Sequence, residues 1–267
     1  MRVRVDGREC EAIDALDRGL QYGDGLFETI AVQGGRPRLL DWHLERLAEG
    51  ARRLGFPPLD LALLRAEIAA ACTVPRCIVK FVLTRGSGER GYRPPRQASP
   101  RRIVMAWDWP EAPRAASAGA RVGWCRTRLG RNPRLAGIKH LNRLEQVLAR
   151  AEWQEGELDE GLMSDDRGQV ISATQANLLA RIDGRWKTPA LDECGVAGVM
   201  RRAFRAWLAG QGVDVAELAL SRADVESASA LVLTNALIGA WPVCALDGRP
   251  LAIDPVVQEF NAWLARA

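Results

Sequence analysis

The chain has 267 residues, of which 48% are hydrophobic and 26% are charged, and its formal net charge is +4. This length fits one large domain or two smaller ones, and no apolar run approaches the roughly 18 residues that a membrane helix requires. These values argue against a disordered chain, a coiled coil or a membrane span. The 33 acidic residues are interleaved with the basic ones, so no basic stripe for nucleic acid is predicted.

Two histidines and six scattered cysteines without a C-x-x-C pair make a zinc site an unfavoured interpretation. The same cysteine pattern indicates reduced thiols and therefore a cytoplasmic protein.

The first part of the chain combines strand and helix patterns. Alternating and continuous apolar runs predict strands, and apolar residues at 3.6-residue spacing predict helices. In chain order we predict a strand over 2–5, a turn at 6–7, a loop over 17–25, a strand over 26–32, helices over 41–54 and 60–71, and strands over 77–84 and 103–107.

Residues 108–120 are rich in Pro, Ala, Ser and Gly and predict a linker, with a domain boundary near 115. The predicted domains are therefore 1–115 and 116–267. Beyond the linker we predict a strand over 121–126, a helix over 141–155, hairpins over 162–171 and 178–186, a helix over 195–208, a strand over 229–234 and a helix over 254–266. The sum is an α+β chain in two unequal parts.

Only three of the 37 basic residues are lysines, and lysine can perform amine chemistry that arginine cannot. Lys187 lies beside a turn and is predicted to be a solvated edge charge. Lys80 alternates with buried strand residues and is predicted to face solvent or an ion pair. Lys139 follows a proline-containing loop and precedes a helix, and spacing alone does not separate a buried reactive amine from an ordinary loop lysine.

Three features could bind an anion. Arg46 on the predicted helix could present its guanidinium to a phosphate, although a surface charge is the ordinary interpretation. The segment Gly195–Val199 opens an amphipathic helix, whose first N–H groups favour anions, although it is also an ordinary glycine-assisted helix start. Residues 234–237 end a buried strand, where backbone N–H groups can meet a ligand.

Five segments carry a resemblance to a known family. The most specific is RLGRNPRLAGIKHLNRLEQ (128–146), and it is supported by DRGLQYGDGLFETI (17–30), TRGSGERGY (84–92), CGVAGVMRR (194–202) and TNALIGAWPV (234–243). In this order they resemble the pyridoxal-phosphate enzymes of fold type IV, which include branched-chain and D-amino-acid aminotransferases. Within this family the chain is most similar to the aminodeoxychorismate lyases. The resemblance implies a small N-terminal α/β domain and a larger domain with a barrel-like sheet.

The resemblance also implies roles for individual residues. Lys139 would bind pyridoxal 5'-phosphate covalently and act as the catalytic amine. Thr29 and Arg90 would lie on the substrate side, with Thr29 also near the reacting atoms. The residues implied to bind the cofactor phosphate are Arg46, Val199, Met200, Asn235 and Ala236. The family further implies a homodimer whose sites lie between the two domains, and a reaction of folate synthesis that converts 4-amino-4-deoxychorismate to 4-aminobenzoate and pyruvate.

One position departs from the family pattern. The family usually has Gly-x-Val-x-Glu followed five residues later by Asn, and the Glu pairs with the protonated pyridine nitrogen of the cofactor. Here Ser172 stands at the Glu position and Asn177 at the Asn position, and the resemblance implies that both bind the cofactor. A hydroxyl cannot hold the pyridine proton as a carboxylate does, which weakens the electron sink and argues against transamination. An aminotransferase and a catalytically silent cofactor-binding protein are the alternative functions.

Overall fold

The structure is a computed structural model that describes residues 1–109 and 118–266. These residues form two compact units, the first comprising 1–109 with Ile138–Asn142 and the second comprising 118–137 with 143–266. The predicted boundary near 115 and most of the predicted linker fall on residues 110–117, outside the described residues. The segment Ile138–Asn142, which the predicted division assigns to the second domain, groups with the first unit. In the described parts of the chain, no helix is both long and apolar enough to cross a membrane.

The first unit contains a six-stranded antiparallel sheet with three helices. The elements are β1 (Arg2–Val5), β2 (Arg8–Glu9), α1 (Arg18–Tyr22), β3 (Gly25–Gln33), β4 (Arg36–Pro37), α2 (Leu40–Arg53), α3 (Leu61–Ala71), β5 (Arg76–Thr84) and β6 (Arg101–Asp108). The strand order is β2-β1-β6-β5-β3-β4. All the strands and the two long helices predicted for this part are present, with bounds shifted by one or two residues.

Alternation along β3 and β5 sorts side chains onto two faces of this sheet. One face carries fully buried apolar residues, among them Leu26, Ile30 and Phe81, and α2 packs against β3. The other face carries the half-buried Phe27, and Thr29 pairs there directly with Lys80 of the neighbouring strand. The two faces therefore separate a hydrophobic core from a more open, polar surface.

The prediction of a loop over 17–25 is wrong in one respect, because α1 occupies its centre. The Asp17 carboxylate accepts the backbone N–H of Gly19 at 2.7 Å and caps the start of the helix. Gly23 ends the helix with a φ of 65°, in the left-handed region that glycine adopts without strain. A cap and a terminating glycine thus specify one short helix inside a glycine-rich segment.

The second unit is built on a ten-stranded sheet with four helices in the described residues. The elements are β7 (Ala120–Trp124), α4 (Leu144–Arg150), β8 (Glu160–Ser164), β9 (Gln169–Ala173), β10 (Asn177–Ile182), β11 (Arg185–Pro189), α5 (Val199–Gly210), β12 (Val215–Leu218), β13 (Leu220–Ser221), α6 (Arg222–Glu226), β14 (Ala230–Asn235), β15 (Gly239–Leu246), β16 (Arg249–Pro250) and α7 (Val256–Leu264). The strand order is β12-β11-β10-β14-β15-β7-β8-β9-β13, with β16 beside β15.

This sheet curves around one large hydrophobic cluster. Val170 and Leu220 come from one end of the strand order and Ile182 from the region of the other end, yet all three belong to the same buried cluster. Strands from both ends can share a core only if the sheet bends back on itself. The curvature agrees with the barrel-like sheet of the predicted α+β fold.

Candidate active site

Lys139 is fixed by backbone hydrogen bonds alongside the start of β3. The N–H of Phe27 donates to the Lys139 carbonyl at 3.0 Å, and the N–H of Leu141 donates to the Gly25 carbonyl at 3.0 Å. An isolated antiparallel bridge joins Leu26 and His140. The lysine therefore sits on a short strand-like segment of defined register rather than on a free loop.

The amine of Lys139 lies over an aromatic ring that a second lysine shares. Its Nζ is 4.3 Å from the centroid of the Phe27 ring, and the Nζ of Lys80 is 5.1 Å from the same centroid. All three side chains are half-buried. Thr29, the predicted substrate-side residue, pairs directly with Lys80 across the strands. The structure thus brings Lys139, Lys80 and Thr29 to one face of the sheet, although Lys80 was predicted only as a solvent-facing or ion-paired residue.

Arg46 belongs to a buried charged network on the opposite face of β3. Its Nε donates to Glu28 Oε1 at 2.8 Å and its Nη2 donates to Glu28 Oε2. The Nδ1 of His43 lies 2.6 Å from Glu28 Oε2. Glu28 therefore fixes the orientation of the Arg46 guanidinium.

Glu28 stays ionised despite complete burial. Burial alone would raise the pKa of its carboxyl, but Arg46 and His43 outweigh that effect and lower the pKa from 4.5 to about 2. Glu28 was not among the residues predicted from the sequence. The signal that could have found it is a charged residue between Leu26 and Ile30 on the buried face of a strand, because such a carboxylate needs a partner.

Arg90 lies on an ordered loop that other side chains hold in place. Arg18 donates through Nη1 to the Gly91 carbonyl and through Nη2 to the Tyr92 carbonyl, both at 2.9 Å. Arg18 is in turn paired with Asp24 at 2.9 Å. Arg90 itself is exposed, and its side chain makes no ion pair with the other described residues. The loop therefore presents Arg90 to solvent.

In the second unit, the start of α5 offers backbone donors. Gly198 is the N-cap residue and supplies no side-chain cap, and the first turn of the helix carries no acidic residue. Among the described residues, no acceptor is found for the N–H groups of Val199 and Met200. The preceding loop is pinned by Ala197 N–H, which donates to the Gly137 carbonyl at 2.9 Å. The helix begins at Val199 rather than at the predicted 195 because Gly195 adopts a φ of 85°.

Asn177 shapes this helix start through its side chain. Its Nδ2 donates to the Val196 carbonyl at 2.9 Å, and a Cβ at Gly198 would overlap its Oδ1. Only glycine fits at position 198 while Asn177 keeps this position. Asn177 was predicted to bind the cofactor. In the structure its side-chain amide is bonded to the loop that precedes α5.

A second set of backbone donors follows β14. The Oδ1 of Asn235 accepts the N–H of Leu237 at 3.0 Å and the N–H of Ile238 at 2.8 Å. The Asn235 side chain thereby closes a tight turn after the strand. The turn places Ala236 at its tip, half-exposed.

Ser172 lies in β9 opposite Met163, is 9% exposed, and its hydroxyl makes no hydrogen bond to the other described residues. The turn after this strand is held by Glu160, whose carboxylate accepts the N–H groups of Gly161 at 3.0 Å and Thr174 at 3.2 Å, and also the Thr174 hydroxyl. Burial raises the pKa of Glu160, although the hydrogen bonds from the Thr174 hydroxyl and the Gly161 N–H oppose it. Glu160 was not identified from the sequence, and it fixes the path between Ser172 and Asn177.

Comparisons with known proteins agree with this geometry. Residues 25–246 match the amino-transferase class IV family. The chain is 35% identical over 262 residues to an aminodeoxychorismate lyase of Vibrio harveyi, covering 97% of both chains. It is 28% identical to a putative branched-chain-amino-acid aminotransferase of Methanocaldococcus jannaschii, covering 93% of this chain and 89% of the relative. The crystal structure of 4-amino-4-deoxychorismate lyase from Pseudomonas aeruginosa superposes with a TM-score of 0.94 at 47% identity, over 99% of this chain and 98% of the other.

Proposed function

Since the chain belongs to the amino-transferase class IV family, we propose that it uses pyridoxal 5'-phosphate to convert 4-amino-4-deoxychorismate to 4-aminobenzoate and pyruvate. The two relatives that support this reaction are named aminodeoxychorismate lyases and match nearly the whole chain at 35% and 47% identity. The reaction belongs to folate synthesis.

The residues present fit a phosphorylated cofactor. The N–H groups of Val199 and Met200 have no acceptor among the described residues, and no carboxylate stands in the first turn of α5 to repel an anion. Ala236 lies at the tip of a turn closed by Asn235. We assign the phosphate to these donors of the second unit and the pyridine nitrogen to the Ser172 hydroxyl. The phosphate role of Arg46, whose guanidinium is bound by Glu28, stays a prediction of the family resemblance.

Lys139 is the residue that performs the proton transfers in this proposal. When bound, pyridoxal phosphate supplies an electron sink for the pair left behind when the substrate carbon loses its proton. Lys139 is the residue that would hold the cofactor through its amine. With substrate in place, this amine removes the C4 proton of the substrate ring and returns a proton to the departing enolpyruvyl fragment. Arginine stays charged at all physiological pH values and cannot take these roles.

The substrate carries two carboxylates, and the lysine-bearing face of the first unit offers cations for them. Lys80 lies over the same ring as Lys139, and the hydroxyl of Thr29 stands opposite it across the strands. We assign Lys80 and Thr29 to substrate orientation, with Arg90 on its loop as a further cation.

A homodimer is the assembly that we propose. Leu144, Val147 and Leu148 form an apolar stripe along one face of α4, and all three are at least 60% exposed. A second copy of the chain would cover this stripe. The six cysteines are free thiols, which supports a cytoplasmic location.

The observation that carries the proposal is the amine of Lys139 over Phe27, on a segment whose backbone is bonded to β3. The test is to supply 4-amino-4-deoxychorismate to the purified enzyme, without a keto-acid acceptor, and to measure 4-aminobenzoate and pyruvate together. Lys139→Arg is expected to abolish both the activity and the absorbance band of the covalently bound cofactor at the boundary of the ultraviolet and visible ranges. Lys187→Arg is the matched control, and retained turnover by Lys139→Arg would overturn the assignment.

Transamination is the second candidate, favoured by the relative named as a putative branched-chain-amino-acid aminotransferase. An aminotransferase would consume an amino-acid donor and a keto-acid acceptor, whereas a lyase releases pyruvate from one substrate alone. A catalytically silent cofactor-binding protein would do neither. The same assay with and without donor and acceptor therefore separates the three functions.

A further inference from the structure

The hydroxyl of Thr234 is buried without a partner. Thr234 is the penultimate residue of β14 and is 2% exposed, and its Oγ1 makes no hydrogen bond within residues 1–109 and 118–266. An unpaired buried hydroxyl is costly, and most such groups in native proteins find a partner. Thr188 of β11 is also buried and follows that rule. Its hydroxyl donates a hydrogen bond to the Leu178 carbonyl at 2.8 Å and accepts one from Arg201.

Strand register shows which surroundings Thr234 shares. Thr234 pairs directly with Asn177 of β10, so the two side chains project from the same face of the sheet. From that face the Asn177 amide reaches the Val196 carbonyl and borders Gly198 at the start of α5. The helix α5 also packs against β14. Thr234 therefore lies under the start of the helix, beside the turn that Asn235 closes.

The polar groups around Thr234 already have partners. The Asn177 Nδ2 is bonded to Val196, and the Asn235 Oδ1 accepts two backbone N–H groups. Within the described residues, the donors left at this place include the N–H groups that open α5, the Nδ2 of Asn235 and the Thr234 hydroxyl. All of them suit an anion, because each can donate a hydrogen bond and none carries negative charge.

We infer that the Thr234 hydroxyl is a ligand of the cofactor phosphate and donates a hydrogen bond to it, together with the N–H groups of Val199 and Met200. The inference rests on the phosphate site of the proposed function and adds a side-chain ligand to it. The hydroxyl acquires its partner only on binding, so its unpaired state destabilises the empty protein and its pairing strengthens phosphate affinity.

The test compares Thr234→Val, which keeps the shape and removes the hydroxyl, with Thr234→Ser, which keeps the hydroxyl. Binding of pyridoxal phosphate and of unphosphorylated pyridoxal to the apoenzyme is measured by absorbance titration. Thr234→Val is expected to weaken pyridoxal phosphate binding about 10-fold, and pyridoxal binding should not change. Thr234→Ser should bind both close to the wild-type values.

Thermal unfolding gives a second readout that does not depend on activity. The apoenzyme of Thr234→Val is expected to melt at or above the wild-type temperature, and the upward shift produced by inorganic phosphate should be smaller. Thr234→Ala serves if the valine variant does not fold. Equal phosphate dependence in the wild type and both hydroxyl-free variants would overturn the role of Thr234 alone. A wild type that binds the two vitamers equally would instead overturn the phosphate site itself.

Discussion

At the scale of single residues, the three lysines show what a sequence can and cannot establish. The family resemblance predicts Lys139 as the reactive amine, and alternation correctly placed Lys80 on the face opposite Val79 and Phe81. The sequence could not predict that Lys80 and Lys139 lie over the same Phe27 ring. The position of Lys80 depends on the register of β3 against β5, and Lys139 lies 112 residues after Phe27 in the chain. Lys187, predicted as an edge charge, lies on β11 between two neighbouring strands and 3.8 Å from Asp183.

Glu28 provides a prediction at this scale. Glu28→Gln removes the buried carboxylate that holds the half-buried Arg46, and we expect it to lower the free energy of unfolding by about 3 kcal/mol at neutral pH. The pKa of Glu28 is lowered from 4.5 to about 2, so its stabilising effect is complete above about pH 4.5 and is lost as the pH falls toward 2. Urea unfolding across this range should therefore show the gap between wild type and variant closing.

The control for this measurement is Glu49→Gln. Glu49 pairs with Arg52 at 2.8 Å on the exposed side of α2, the helix that also carries Arg46. Such an exposed pair contributes only about 0.5 kcal/mol to the free energy of unfolding. A gap for Glu28→Gln that stays constant from neutral to acidic pH would contradict the role assigned to its charge.

At the scale of elements, long patterns were predictable and short or interrupted ones were not. The amphipathic α2 and the apolar β5 were predicted within two residues because each carries its own period. The central strand β15 was missed because Pro242 and flanking glycine break the strand pattern, yet Pro242 pairs with Val232 in the sheet. The helix predicted over 141–155 is shorter and runs from Leu144 to Arg150. The helix α5 begins late because Gly195 adopts a positive φ, and Gly195 and Ala197, which precede the helix, bond to Gly137 instead.

The start of α5 provides the element-scale prediction. Gly198→Ala would place a Cβ against the Asn177 side chain, forcing Asn177 off the Val196 carbonyl and distorting the first turn. We expect affinity for pyridoxal phosphate to fall at least about 10-fold, the equivalent of one charge-assisted hydrogen bond.

The matched control lies at the other end of the same helix. A Cβ at Gly210 meets nothing within 4 Å, so Gly210→Ala should leave cofactor affinity unchanged and raise stability by up to about 1 kcal/mol. Spectroscopic titration of both variants decides the question. If Gly198→Ala binds the cofactor as tightly as Gly210→Ala does, the helix start is not the phosphate site.

At the scale of the whole molecule, the predicted elements indicated an α+β chain in two parts, and the family resemblance implied the barrel-like sheet of the larger one. They could not show that Ile138–Asn142 leaves the second unit to join the first, because nothing local distinguishes the partner of a strand-like segment. The exposure of the apolar stripe on α4 could not be predicted either. Apolar spacing on a helix does not show whether the protein's own core or another chain covers the apolar face.

Assembly is the prediction that belongs to this scale. Leu148→Glu places a charge in the middle of the α4 stripe, where Leu148 is 60% exposed, and we expect sedimentation equilibrium to show a dimer converted to a monomer. Leu63→Glu, on the 41% exposed Leu63 of α3, should remain dimeric. A wild-type monomer, or dissociation of both variants alike, would be contrary to the proposed interface.

The discontinuity of the first unit has a consequence for biosynthesis. During translation, residues 1–109 leave the ribosome well before residues 138–142. The Gly25 carbonyl and the Phe27 N–H of β3 therefore have no partner until Leu141 and Lys139 emerge. A nascent chain arrested before that point would expose a strand edge that the finished protein closes. The segment that carries Lys139 is thus also the last part of the first unit to be synthesised. A ribosome-bound chain therefore cannot complete the fold of that unit before Lys139 has been added.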